Sequence, residues 1–176
     1  MTWEFIVGAI VFISILLIII VVIQNKFQLA IIKLDKAEED IALYLQKKEE
    51  LLNRTKPIIM KELKVENVMM DLDSIPIDAS NFEIHLLLKK CYNELFKTLD
   101  ENEKLLKSKP LEKILEELDE NEELIVGSIR FYNDTVVDYN QLIMTFPSKL
   151  VAFVKGYKRK EFYNNEKREK YKIFNE

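Results

Sequence analysis

The sequence predicts an all-α protein, with an N-terminal transmembrane helix that continues into an elongated antiparallel helical bundle of three long helices plus a short C-terminal helix. Three observations carry this prediction. Residues 5–23 hold no charge, and beyond them apolar residues recur at alternating steps of three and four. Three glycines and four prolines among 176 residues are too few to supply the turns of a β-fold.

The apolar run from Phe5 to Ile23 rises about 28 Å as a helix, close to the ~30 Å of bilayer hydrocarbon. Its one hydroxyl, on Ser14, can bond back to its own helix. A cleaved signal peptide would need a basic start, a shorter apolar run and small residues before the cut. Here Glu4 stands where a basic residue would be, and Gln24-Asn25-Lys26-Phe27 offers no such site. Lys26, Lys33 and Lys36 follow the span, whereas only Glu4 charges the segment before it. Basic residues beside a span tend to stay in the cytoplasm. The expected topology is therefore single-pass in the cell membrane, with residues 1–4 outside, Trp3 at the outer interface and the C-terminal part cytoplasmic.

The first bundle helix carries a seam of Phe27, Ile31, Leu34, Ile41, Leu45 and Leu52, interrupted by Glu38 and Lys48. No Gly or Pro separates it from the span, so the two read as one rod. Pro57 predicts a kink, since the period continues through Ile58, Ile59, Met60 and Leu63. Residues 70–81 are the clearest loop. Ser80 or Asn81 then caps a second helix with Ile84, Leu88, Cys91, Leu95, Thr98, Asn102 and Leu105 on its seam, widened by Leu87, Leu99 and Leu106. The short link at Ser108-Lys109-Pro110 requires an antiparallel neighbour.

The third helix has the strongest period: Leu111, Leu115, Leu118, Glu122, Ile125, Ile129, Tyr132, Val136, Tyr139, Ile143 and Phe146. At about 54 Å it is too long and one-sided to stand alone. Pro147 ends or bends it, and Leu150, Val151, Phe153 and Val154 form one more short helix before Gly156. This places a single bundle domain over residues 26–156 and a basic, aromatic, solvated tail over 157–176.

Residues 122–163 resemble the C-terminal signature of the LemA family of bacterial membrane proteins. The resemblance is carried by the pairs Tyr132-Asn133 and Tyr139-Asn140, then Phe146-Pro147, Ala152, Gly156-Tyr157 and Phe162-Tyr163, with Glu122 and Ile125 in the family's Thr-Glu and Ile places. Asp40-Ile41, Leu45, Lys47-Lys48 and Leu51-Leu52 add earlier echoes. Where the family commonly has an Arg three positions before the first Tyr-Asn, this chain has Ile129, with Arg130 beside it. The resemblance implies a helical bundle behind one membrane anchor, N-terminus outside. It implies no particular activity.

Candidate structural or interaction positions are Glu122, Tyr132, Asn133, Tyr139, Asn140, Phe146, Pro147, Gly156 and Phe162. The two tyrosines lie one heptad apart, so each seam ring brings a hydroxyl that needs a partner. The two asparagines flank the seam and can fix register. Glu122 reads as a helix-surface acid, with Lys48 as its partner if it is buried, on the expectation that the first and third helices run in the same direction.

No catalytic residue, cofactor or metal is expected. The lone Cys91 and lone His85 fall off a common helical face, and no Gly-rich phosphate loop or Glu-x-x-His pairs are present. Acids outnumber bases 11 to 5 from Glu94 to Glu123, while Lys155 to Lys172 holds eight basic and three acidic residues. That tail suits an anionic lipid or an acidic protein face; with a net charge of −4, nucleic acid is not expected. The reading is a membrane-anchored, non-enzymatic scaffold or adaptor with a protein partner or a second copy of itself. The alternative is a sensor that binds a small molecule or lipid head group in a polar cavity near Tyr132, Asn133 and Glu122.

Overall fold

The computed structural model describes residues 2–76 and 78–163. Four α-helices follow in order: α1 (Thr2–Leu63), α2 (Asn81–Glu101), α3 (Lys109–Met144) and α4 (Ser148–Lys155). Short 3-10 turns at Met70–Ser74 and Leu105–Lys107 fall in the two longer connections, and no strand occurs among the described residues. The protein is all-α, as its periodicity predicts. The described residues form two compact units: α1 up to Lys36 with residues 131–163, and Ala37–Arg130. The span expected as one bundle domain, 26–156, runs through both units.

α1 changes character along its length. Every residue from Trp3 to Val22 is exposed, and from Ile23 onward one face is buried. The exposed part is long and apolar enough to cross a membrane, and the Ser14 hydroxyl bonds the Ile10 carbonyl at 2.8 Å, so the run leaves no hydroxyl unsatisfied. Pro57 lies inside α1, and the helix continues to Leu63.

In the first unit, Ile23, Phe27, Ala30 and Leu34 of α1 are buried, as are Tyr132, Val136 and Tyr139 of α3 and Val151 and Ala152 of α4. α4 ends on Gly156 at φ 69°. There the Tyr157 N–H bonds the Ala152 carbonyl and the Gly156 N–H bonds that of Phe153, a Schellman closure in which Gly is the residue that tolerates the left-handed backbone. The turn brings Tyr157 back onto Phe27, with ring centroids 4.7 Å apart.

In the second unit, the seam of α1 continues through Ala37, Ile41, Leu45, Lys48, Leu52, Thr55 and Ile59. Ala30 and Ala37 occupy the places expected for Ile31 and Glu38; Ile31 is half-buried and Glu38 faces solvent. On α2 the seam is Leu88, Cys91, Leu95 and Leu99, so Leu99 replaces Thr98. α2 also stops at Glu101, earlier than its apolar pattern suggests: the Asn102 N–H turns back to the Leu99 carbonyl, and Leu105 is buried from a 3-10 turn instead.

α2 and α3 are antiparallel, as the short link between them requires, but their directions relative to α1 differ from expectation. Asn81 at the start of α2 reaches the Glu38 carbonyl at 3.4 Å, and Tyr92 lies beside Lys48, so α2 runs parallel to α1. Asn121 of α3 bonds the Tyr44 carbonyl while Glu117 pairs with Arg54, so α3 runs antiparallel to α1. The reason lies in residues 64–80. The stretch of α1 from Glu38 to Leu63 rises about 38 Å, and a connection of this length, which can reach about 55 Å when extended, carries the chain back along it. Buried Met69 and Leu72, a Met69 N–H to Glu94 bond at 3.1 Å and a Lys56–Asp73 ion pair at 2.7 Å hold this crossover down.

The crossover ends in a capping box. The Ser80 hydroxyl accepts from the Glu83 N–H, and the Glu83 carboxylate accepts from the Ser80 N–H at 2.8 Å. Donation from the Ser80 N–H, and from the Ser80 hydroxyl at 2.8 Å, to the carboxylate holds the Glu83 carboxyl below its ordinary range. Replacing Ser80 by Ala removes the cap and should lower stability by about 1 kcal/mol. Urea unfolding of the detergent-solubilised chain, followed by circular dichroism, reads this as a lower midpoint at unchanged slope.

Candidate functional site

Two groups of polar side chains enter the bundle, one in each unit. In the first unit, the Tyr-Asn pairs of α3 grip an extended piece of the chain's own C-terminal region. The Asn140 amide donates to the Lys160 carbonyl at 2.9 Å, and its Oδ1 accepts from the Lys160 N–H at 2.9 Å. A primary amide can do this because its donor and acceptor lie side by side, as in a strand's backbone. One heptad earlier, buried Asn133 accepts the Tyr163 N–H at 2.9 Å, and the Tyr132 hydroxyl donates to the Glu161 carbonyl at 3.3 Å.

The spacing has a geometric cause. Seven helical residues from Asn133 to Asn140 rise about 10.5 Å, and three extended residues from 160 to 163 cover about 10 Å. Two asparagines a heptad apart therefore match backbone positions three residues apart. Tyr139, the remaining member, meets the Phe27 ring edge-on at 5.8 Å, and Tyr132 meets Tyr163 at 6.2 Å. Burial pushes the Tyr163 phenol well above its ordinary value. It does the same to Tyr139, to which the nearby Tyr157 adds.

This clamp changes the reading of the tail. Residues 157–163 are tied down by backbone hydrogen bonds at Lys160, Glu161 and Tyr163 and by the Tyr157 ring, while residues 158–161 stay exposed to solvent; residues 164–176, with the rest of the basic run, lie outside the described residues. Phe162 is half-buried in the gripped segment. Phe146 and Pro147 sit between α3 and α4, and both are exposed. Phe146 is therefore not a seam residue, because α3 ends at Met144. Gly156 serves the α4 terminus.

In the second unit, the Lys48 Nζ lies 2.6 Å from a Glu122 carboxylate oxygen. Lys48 is fully buried and the Glu122 side chain retains 27 % exposure, so Glu122 is a paired acid at the bundle edge rather than a free surface one. The pair forms although α1 and α3 run in opposite directions, because one side chain reaching one other does not depend on helix direction. Lys48 also sits 4.6 Å from the centre of the Tyr92 ring, whose π-face attracts a cation. Desolvation, then the Lys48 charge, push the His85 pKa down; desolvation, then the Glu122 charge, push the Tyr92 phenol up.

The residue buried at the expected Glu122 seam place is Asn121, one position earlier, and Ile114 likewise takes the place of Leu115. Asn121 is fully buried, with its amide donating to the Tyr44 carbonyl at 2.9 Å and no protein donor at its Oδ1. Sequence reasoning passed over both Asn121 and buried Thr55, whose hydroxyl bonds the Leu52 carbonyl at 2.7 Å. Their signal was position alone: each continues a three-and-four step. Glu122 and the pair Tyr132 and Asn133, expected around one cavity, belong to different units.

The model of the LemA family matches residues 80–173, just over half of the chain. The match takes in α2, which the sequence resemblance did not reach, together with α3, α4 and the clamped segment. The earlier echoes at 40–52 fall outside it. No curated protein matches the chain.

The Lys48–Glu122 pair predicts an asymmetric mutational response. Glu122→Gln leaves a fully buried ammonium without its counter-charge and should cost about 3 kcal/mol or more. Lys48→Met should cost less, and the double substitution should recover part of the loss; strictly additive losses in urea unfolding would exclude coupling. For the clamp, removing the hydrogen bonds of Asn133 or Asn140 by substitution with Ala should weaken it by about 1 kcal/mol. Hydrogen exchange at the Lys160 and Tyr163 amides should then quicken about fivefold, and unchanged exchange would show that the segment is held by other contacts.

Proposed function

This chain belongs to the LemA family, and we propose that within it the protein is a single-pass, membrane-anchored scaffold or adaptor that works by protein contacts. The observation that carries this reading is the fate of the Tyr-Asn groups. The side chains best suited to bind a ligand are committed to the chain's own backbone at residues 160–163, which is the role of a structural lock.

Two further features support it. The exposed apolar run Phe5–Val22 ends where the buried seam begins at Ile23, as a membrane anchor joined directly to a bundle would. In the second unit, Leu43, Leu124 and Val126 stand exposed on α1 and α3, apolar surface of the kind protein partners cover. The lysines after the span favour a cytoplasmic bundle with the N-terminus outside. The partner is another protein or a second copy of this chain.

The runner-up is a sensor for a small anionic molecule or lipid head group. A cleft of about 470 Å³ in the first unit favours it, lined among others by Lys26, Lys33, Thr135 and Gln141. It does not involve the residues around which a polar cavity was expected.

A photo-crosslinking amino acid placed at Val126 in the full-length protein, activated in intact cells, should give a discrete adduct with another protein or a self-adduct. A reporter fused after Glu176 should read out in the cytoplasm. An uncrosslinked monomer at every exposed apolar position of the second unit would remove the scaffold reading, and an external reporter signal would reverse the topology.

A further inference from the structure

We propose that α4 is a second membrane contact: an interfacial helix whose exposed apolar face rests in the bilayer surface beside the point where α1 leaves it. The inference rests on the reading of α1 as a membrane anchor. α4 buries Ser148, Val151 and Ala152 against its own unit, and turns Leu150, Phe153 and Val154 outward with Phe146 one turn before them. Phe153 is 86 % and Val154 81 % exposed. At 100° per residue, 150, 153 and 154 share one narrow face, opposite the buried one.

Position says what covers this face. The Phe27–Tyr157 ring contact at 4.7 Å places the C-terminal end of α4 beside Phe27, and Phe146 and Pro147 line a cleft that runs along α1 from Ile23 to Lys33. Phe27 lies four residues past Ile23, a rise of about 6 Å. The head-group layer is about 5–8 Å deep on each side of the hydrocarbon. α4 is thus held at the depth where interfacial helices lie, with apolar side chains entering the acyl boundary.

Charge favours an anionic surface. Lys149, Lys155 and Lys158 are exposed on and just after α4, and Lys26 stands on the adjoining turn of α1. Each basic residue near an anionic leaflet adds to attraction. Tethering supplies the rest: an eight-residue helix binds membranes weakly alone, but here α1 keeps it at high effective concentration at the surface.

The single tryptophan, Trp3, lets the test separate the two membrane contacts. The full-length chain is reconstituted into phosphatidylglycerol-containing vesicles, with and without brominated acyl chains, which quench indole fluorescence on contact. Three forms are compared: the unaltered chain; Trp3→Phe with Phe153→Trp; and Trp3→Phe with Leu124→Trp as a reference on the bundle surface. Quenching of the Phe153→Trp form several-fold above the Leu124→Trp reference is expected.

Quenching no greater than the reference, with Trp3 quenched, overturns the α4 contact and leaves the anchor standing. A blue-shifted but unquenched Phe153→Trp emission also overturns it, because a protein surface or a second copy then covers the face. Loss of quenching at Trp3 as well would remove the anchor reading and the inference with it. Because position 153 is exposed and Phe to Trp is a modest change, misfolding is not the expected cause of a negative result, and unchanged circular dichroism confirms that.

Discussion

The apolar seam of α1 is the constraint on which both units depend. From Ile23 to Ile59 it presents one buried residue every three or four positions, and each unit packs on its own stretch of it. A helix with one apolar stripe cannot remain solvated along that stripe, so α2, α3 and α4 must cover it. From Phe5 to Val22 the same helix is apolar on all sides and exposed, the pattern expected of a segment whose solvent is lipid. The transition occurs within one turn and without a helix break. That continuity joins the exposed apolar run directly to the first packed layer of the first unit.

Polar groups inside the bundle act as specificity devices. The fully buried Lys48 is tolerable because Glu122, at a partly open position, and the Tyr92 ring both face it. A buried pair of this kind contributes little net stability compared with an apolar replacement, but it penalises misregistered helices. Asn121 acts similarly through the Tyr44 carbonyl. In the other unit, Asn133 and Asn140 fix the register of an extended segment against a helix. Matching a helical rise to an extended rise gives the doubled Tyr-Asn signature a mechanical meaning.

That meaning also bears on function. A groove occupied by the chain's own backbone closes the most promising polar surface to outside ligands, and shifts interest to what stays exposed: the apolar face of α4 and the apolar residues of the second unit. Both are apolar surfaces of the size that the proposed reading gives to larger partners.

The sequence by itself determined the number and kind of helices, the apolar run, the cap at Ser80, the stop at Gly156 and the importance of the Tyr-Asn pairs, because each is written in residues within one or two turns of each other. Tertiary structure alone decided the rest. Leu111, Leu118 and Ile125 agree with two phases, one through Leu115 and Glu122 and one through Ile114 and Asn121, and both alternatives have like polarity; only the facing helices select the second. The short link at Ser108–Pro110 did reveal that α2 and α3 are antiparallel, but their direction relative to α1 was illegible, because a periodic stripe reads the same up or down, and it took the contacts of the crossover before Ser80 to bring α2 back to Glu38. The partner of Asn140 was hidden for the same reason: an extended segment such as 160–163 has no period of its own, so only its distant hydrogen bonds show where it lies.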